Sequence, residues 1–540
     1  MLNNWFKKEK PFAGFAGFGG GATGLAFSGS SGADGHTATG GLISDYEYNG
    51  EKYRAHIFTS SGSFDITALG EEETVDYLVV AGGGAGAPMY AGNYYSASGG
   101  GGAGGLRTSI PGVMPNTGSA LPVAVATYSV VVGRGGAAFD AQERGGYGGV
   151  SSIQYNGGTV STLGGGGGGS TDGSDTALRD GGPGGSGGGC SGNQHTGTTT
   201  GGDASPNSDT DRQGYPGAGP FGAAPENDGA GGGGGGAGGA GPIAAYPTAI
   251  GLDGGPGVQV AIAGPVSTTF TGVGAKNPAN NQYQYFAGGG AGGSYPSSAP
   301  GSPLGGGGAG GSNGTDGAKA LNGTGSGGGG GGGATNGTKG GAGADGIVIV
   351  RYKISSAQTQ SAKATGGAIS FYNGKTIHTF TNSGIFSAPG TFNETVEYVV
   401  IGGGAGSSCG GGGAGGYLTG STPISTGNYT VTVGGGGAGS IYGRNFRGKN
   451  GGDSSITFPS PITSYGGGTG GAYGDGGASV RTGVPGGSGG GGGGLYTNQT
   501  GDAGGDGNRI TGTGTVVPAQ GNPGGASAPA VNGQAGGGGG

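Results

Sequence analysis

The sequence predicts a mostly β and irregular fold with essentially no α-helix. Tandem glycine-rich domains are expected, built from polyglycine-II helices of polyproline-II type and stapled by a small β-sheet. Three observations carry this expectation. Glycine supplies 161 of the 540 residues and falls in runs hung on short apolar strands. The strand-and-run pattern recurs, as VDYLVVAGGGAG over 75–86 and VEYVVIGGGAG over 396–406. Only 31% of residues are hydrophobic and 9% charged, too few to fill the ordinary cores that this length suggests.

A glycine-rich chain can be collagen-like, disordered or a packed array of extended helices. Collagen needs a strict Gly-X-Y phase, and runs such as 164–169 and 327–333 break it. Disordered linkers rarely carry regular aromatic punctuation, and this chain places 24 Tyr and 17 Phe at recurring points. The packed array remains. An extended helix of this type has no internal hydrogen bonds, so neighbouring runs must satisfy each other's N–H and C=O groups.

Taken in order, residues 1–40 read as a leader. It holds a basic start with the single tryptophan, Trp5, beside Phe6. Phe12, Phe15 and Phe18 follow every third residue, which puts their rings on one face of a threefold helix. This suits a peptide that docks the protein to a particle. A secretion signal is the alternative, and Pro11 with the interspersed glycines argues against it.

Residues 41–352 form the first glycine-rich domain. It opens on the hairpin signal Tyr48-Asn49-Gly50. Alternating residues through His56 to Thr59 come next, then Phe64. The run GGGGAGGL over 99–106, the strand YSVVVG over 128–133 and Ser151-Ser152-Ile153 follow. The domain closes on GIVIVRY over 346–352, a continuous β-branched run typical of a buried strand. The apolar strands 77–81, 128–132 and 346–351 are expected to pair as one small sheet.

A polar linker spans 353–368, and 369–540 repeats the plan. Tyr372-Asn373-Gly374, His378, Phe386, GGGGAGGYL over 410–418, YTVTVG over 429–434 and Ser454-Ser455-Ile456 match the first unit in order. Gln213-Gly-Tyr-Pro-Gly217 has its match in Gln520-Gly-Asn-Pro-Gly524. The glycines at 536–540 correspond to those near 231–236. No closing strand follows, so the second domain reads as truncated, with the complete protein expected to continue.

These motifs together resemble the glycine-rich domain of bacteriophage tail and virion proteins, a domain abundant in phages of marine and cyanobacterial hosts. They are also similar in style to the polyglycine-II tip of T-even-type tail-fibre adhesins. A further likeness is to the glycine-rich extracellular region of anaplastic-lymphoma-kinase-type receptors. The resemblance implies a place on the virion surface, with glycine helices as scaffold and variable loops at one end touching a host receptor. It transfers no receptor-binding residue to a fixed position.

Other motifs imitate chemical sites without their context. Gly82–Gly86 imitates a dinucleotide-binding loop, but no amphipathic helix follows it. His56 and His378 are repeat equivalents beside Phe58 and Phe380, and a structural role suits them better than catalysis. His36 and His195 complete the histidines; no cysteine or carboxylate stands at metal-ligand spacing from any of them. Asp316-Gly317 and Asp345-Gly346 read as turns. Cys190 and Cys409 are too few for a disulfide framework. The net charge of −7 and the absence of a basic patch argue against nucleic acid. No apolar run is long enough for membrane insertion.

Three aromatic-polar clusters interrupt the glycine, and tyrosine beside Asn, Gln or Arg is the composition of adaptable recognition loops. The candidate receptor contacts are Tyr90, Asn93, Tyr94 and Tyr95; Tyr283 and Tyr285; and Tyr442, Arg444 and Phe446. The expected function is that of a virion protein outside the cell, a tail-fibre or tail-associated adhesin that needs no cofactor and performs no catalysis. Its partners would be a host glycan or outer-membrane protein, and other virion proteins through the N-terminus. The alternative is a purely architectural capsid or neck decoration. An ice-binding bundle is a remote third, disfavoured by the broken register.

Overall fold

The computed structural model describes residues 35–89, 96–114, 117–139, 143–171, 175–192, 199–206, 208, 211–219, 229–242, 250–264, 273–295, 301–333, 338–354, 362–372, 374–440, 447–473, 478–494, 502–507, 520–528 and 535–540. In the first unit the strands are β1 (Thr37–Thr39), β2 (Leu42–Tyr48), β3 (Glu51–Phe58), β4 (Gly62–Ala68), β5 (Thr74–Val80), β6 (Leu106–Thr108) and β7 (Leu121–Pro122). They continue as β8 (Thr127–Val131), β9 (Ser151–Tyr155), β10 (Gly158–Thr162), β11 (Gly229–Ala230), β12 (Val258–Gln259), β13 (Tyr285–Phe286), β14 (Ser294–Tyr295) and β15 (Ile347–Lys353). The second unit holds β16 (Ala368–Tyr372), β17 (Lys375–Thr379), β18 (Gly384–Ile401), β19 (Tyr417–Thr432), β20 (Ser454–Ile456) and β21 (Ile462–Ser464). Helix is confined to two four-residue turns among the described residues, α1 (Thr176–Arg179) and α2 (Ala478–Arg481).

The β2–β3 hairpin turns at Asn49 and Gly50, whose φ values of 53° and 80° are those the Asn-Gly signal demands. One sheet of unit one runs β2-β3-β15-β5-β6, with β7 also on β5; a second runs β1-β4-β8-β9-β10. The sequence expectation of a single sheet is therefore half right. β15 inserts between β3 and β5, pairing Val350 with both His56 and Tyr77. The strand of 128–132 instead joins the facing sheet through β4. Burial explains the division. β15 is buried along nearly its whole length, whereas β8 alternates buried and exposed, as a strand with one wet face does.

Between the two sheets lies a core of Phe58, Phe64, Tyr77, Val79, Tyr128, Val130, Val348 and Val350. The other face of the β15 sheet packs Ile57, Leu78, Val80, Ile347 and Ile349 against Val260, Ile262 and Phe286. Arg351 ties this layer together. Its Nε donates to Asp76 Oδ2 at 3.1 Å, its Nη1 donates to the Ala261 carbonyl at 3.0 Å, and its guanidinium lies over Tyr53 at 4.4 Å.

Beyond Val80 the chain becomes a polyglycine lattice. Gly82 and Ala85 donate to Gly149 and Gly146; Gly83 and Gly86 to Ala344 and Gly341; Gly84 and Ala87 to Gly102 and Gly99, all at 2.8–3.0 Å. Successive donors therefore point to three different runs, and each run is met again after three residues, the period of a threefold extended helix. The carbonyls face three more runs. Gly82 and Ala85 accept from Gly165 and Gly168, Gly83 from Gly136, and Gly84 and Ala87 from Gly328 and Gly331. Six surrounding runs enclose this one, and residues 81–89 are all buried.

The enclosure explains the composition. Gly83 has no left-handed φ that would require glycine; a Cβ there would fall on the Ser326 carbonyl. Likewise a Cβ on Gly101 would fall on the carbonyl of Gly84. Glycine is needed at these points for space. Acids terminate the lattice: Asp345 Oδ1 accepts from Gly135 N at 2.7 Å and Asp316 Oδ1 from Lys339 N at 2.9 Å. The two Asp-Gly pairs thus use their carboxylates to satisfy backbone donors of neighbouring runs.

The second unit repeats this wiring. Gly403 and Gly406 donate to Gly452 and Lys449, and Gly402 and Ala405 to Gly416 and Gly413. Gly411 and Ala414 donate to Gly536 and Gly539, as Gly100 and Ala103 do to Gly232 and Gly235. Matched by partner, Gly404 corresponds to Gly83. The third row differs: among the described residues the N–H groups of Gly404, Gly412 and Gly415 find no backbone acceptor.

Candidate functional site

At the sheet pole, His56 is fully buried. Its Nδ1 donates to the Gly40 carbonyl at 2.7 Å, which leaves Nε2 to accept from the Tyr352 hydroxyl at 3.0 Å. Burial pushes its pKa down to about 4, opposed by the Gly40 bond. The ring meets Phe64 edge-on at 5.0 Å, and His378 meets Phe386 at 4.9 Å. Both histidines thus pack on the phenylalanine of the following strand. His378 Nδ1 donates to Gly366 at 2.7 Å, and burial lowers its pKa as well. His36 bridges the Thr74 carbonyl and the Gly70 amide. These imidazoles act as structural staples.

A shallow pocket of about 120 Å³ lies where Tyr53, Glu72, Asp76, Arg351 and Lys353 meet the solvent. Organic ligands generally occupy about 300–1,000 Å³, and its charged groups already pair: Arg351 with Asp76, Lys353 with Glu72. No group of three potential metal ligands occurs among the described residues. No helix among them is long and apolar enough to cross a membrane. Neither Cys190 nor Cys409 is joined in a disulfide.

Of the predicted contacts, Tyr283 and Tyr285 are at the sheet pole. Tyr283 is half-buried, burial raises its hydroxyl pKa, and its carbonyl accepts from Gln259 Nε2 at 3.0 Å. The Tyr285 hydroxyl accepts from Asn280 Nδ2 at 2.8 Å. Between them Gln284, fully buried at φ 64°, accepts from Ile262 N and Ala263 N and donates to the Gly264 carbonyl at 2.7 Å. The cluster therefore also pins the segment that covers the β15 sheet. Tyr90, Asn93, Tyr94, Tyr95, Tyr442, Arg444 and Phe446 lie outside the described residues, as do His195 and the docking residues Trp5, Phe6, Phe12, Phe15 and Phe18.

The flanks of those segments have a common location. The run from Ala81 to Met89 carries the chain roughly 25 Å from the sheets at about 3.1 Å per residue. At that far pole Met89 bonds Thr338, Ala97 bonds Gly192, and Gly229 pairs with Tyr295. Among the ends of the described segments, Met89, Gly192, Tyr295 and Gly333, which precede 90–95, 193–198, 296–300 and 334–337, lie at this one pole, as do Ser96, Thr199, Gly229 and Thr338, which follow 90–95, 193–198, 220–228 and 334–337. In sequence the intervening segments include YAGNYY (90–95), NQHTGT (193–198) and PSSAP (296–300).

Sequence reasoning missed Arg351 and Gln284 as organising residues. Arg351 had a signal, being the single charge in the apolar run of 346–352; Gln284 had none, because its burial comes from residues distant in sequence. A family model described as a glycine-rich domain matches residues 59–353 and 380–540. No curated protein matches the chain.

Proposed function

The chain belongs to the glycine-rich domain family across both of its units, and from that premise we propose that it is a binding scaffold on a bacteriophage virion, a tail-fibre or tail-associated adhesin. The observation that supports this is the polarity of unit one. Its interior is backbone bonded to backbone, with few side chains available for chemistry. Part of the sequence variety, including the Tyr90–Tyr95 cluster, falls between flanks that meet at one pole. A rigid lattice that presents tyrosine, asparagine and glutamine at one end suits a host-surface glycan or outer-membrane protein. The N-terminal aromatics, Trp5 to Phe18, would fasten the other end to the particle.

A second reading, an architectural virion component without receptor contact, draws support from the unpaired backbone donors on one flank of unit two. The deciding experiment titrates the labelled full chain onto a panel of intact bacterial cells. The comparison protein has residues 90–95 replaced by Gly and Ser. Saturable binding to some hosts, lost in that variant, is expected. A folded chain that binds no cell while still entering particles would favour the architectural reading.

A further inference from the structure

The helical turn of each unit ends on an arginine, Arg179 in α1 and Arg481 in α2. Backbone wiring makes the two equivalent. Ser191 N donates to the Arg179 carbonyl at 2.9 Å, and Gly493 N to the Arg481 carbonyl at 2.6 Å. Gly181 N then donates to Thr200, and Gly483 N to Ala503, both at 2.9 Å. The residues before these two acceptors are therefore matched as well. Thr199 of unit one stands where Asp502 stands in unit two.

The two arginines are both buried, but only one is neutralised. Arg481 Nε donates to Asp502 Oδ2 at 2.9 Å, and Asp502 N donates to Ser527 Oγ at 2.7 Å. Arg179 is 4% exposed, and its buried Nε has no hydrogen-bond partner among the described residues. Thr199 brings no charge, and its Oγ1 donates to the Ser191 carbonyl at 3.1 Å. The described carboxylates on either side of Arg179 in sequence are committed to backbone. Asp175 Oδ1 accepts from Ala177 N at 2.9 Å, and Asp180 Oδ1 from Thr200 N at 2.7 Å. A guanidinium, unlike an ammonium, stays charged when buried. A buried charge without a counter-charge is strongly disfavoured.

We propose that Arg179 is an anion-binding site whose ligand is a small carboxylate from outside the chain. The two oxygens of the ligand would accept from Nε and a neighbouring Nη, the fork that arginine offers to a carboxylate. Asp502 fulfils the same chemistry within the molecule at Arg481. The site adjoins the far pole, since Ser191, bonded to the Arg179 carbonyl, precedes Gly192. A free organic acid and an acidic surface sugar carry the same group. The site stands independently of the adhesin reading.

The test uses the full chain and isotope-labelled acetate, followed by nuclear magnetic resonance at constant ionic strength. Saturable broadening of the acetate signal is expected, with a rise in melting temperature as acetate replaces chloride. Thr199→Asp, which copies unit two, and Arg179→Met should each abolish both effects. Asp502→Thr should open a further site at Arg481. Cooperative melting shows which variants fold, and if Thr199→Asp does not, Arg179→Met decides. Glucuronate binding as tightly as acetate assigns the ligand to acidic sugars, and exclusion of glucuronate assigns it to free small acids; both support the site. Absence of acetate binding overturns the proposal, as does binding that survives in folded Thr199→Asp or Arg179→Met. A folded Asp502→Thr that takes up no further acetate does the same. Binding that appears only in Asp172→Asn also overturns it, because a carboxylate of the chain itself would then be the occupant.

Discussion

At the scale of the residue, glycine here is a matter of clearance, and this gives equivalent positions opposite behaviour. A methyl group on Gly83 would collide with the Ser326 carbonyl, held within a lattice that cannot shift cheaply. On Gly404, its counterpart in unit two, the same methyl meets nothing within 4 Å. Gly83→Ala should therefore cost about 3 kcal/mol by overpacking. Gly404→Ala should be neutral or gain about 0.5–1 kcal/mol by restricting the unfolded chain. Urea unfolding of both variants checks the sign. His56 supplies a pH dependence. Its folded pKa of about 4 lies below the ordinary 6.5, so the unfolded chain binds the proton first. Stability is fully present above pH 6.5 and declines as pH falls toward 4, by roughly 3 kcal/mol in all. Denaturation midpoints measured from pH 7 to 4 should show this fall, and His56→Phe should flatten it.

At the scale of the element, β15 is the strand on which unit one depends, and Arg351 is its polar fastening. Arg351→Met would leave Asp76 without its cation and the Ala261 carbonyl without its donor, at about 3 kcal/mol. Thermal unfolding followed by circular dichroism should show the loss, with the half-buried Tyr53 losing its cation as well. Much of this was legible in the sequence. The Asn-Gly turn, the β-branched closing run and the paired apolar strands each rest on local rules, and each formed. Assignment of β8 to the facing sheet was not legible, because which strands become neighbours depends on long-range packing that alternation alone does not encode. The candidate site was legible only as composition. Clusters at 90–95 and 283–285 read alike as tyrosine-rich, yet the flanks of the first lie at the far pole and the second sits at the sheets, where Gln284 turns it inward.

At the scale of the molecule, the two units share one wiring and differ in how completely each is enclosed. Amide exchange should report this directly. Gly83, Gly86, Gly101 and Gly104 donate to neighbouring runs, whereas Gly404, Gly412 and Gly415 do not. Hydrogen–deuterium exchange should show the first set protected near the limit of global unfolding and the second exchanging orders of magnitude faster. The threefold winding also carries a rule of counting. Adding one residue inside a run would turn every later donor by a third of a revolution, away from its acceptor. The units obey this. Gly84 and Ala405 keep matching partners, as do Gly102 and Gly413, while the separation between the members of each pair drops from 18 residues to 8 across the connection. Heritable change in length is thereby channelled into the connections, which can grow or shrink by any number, while the runs can change only by threes.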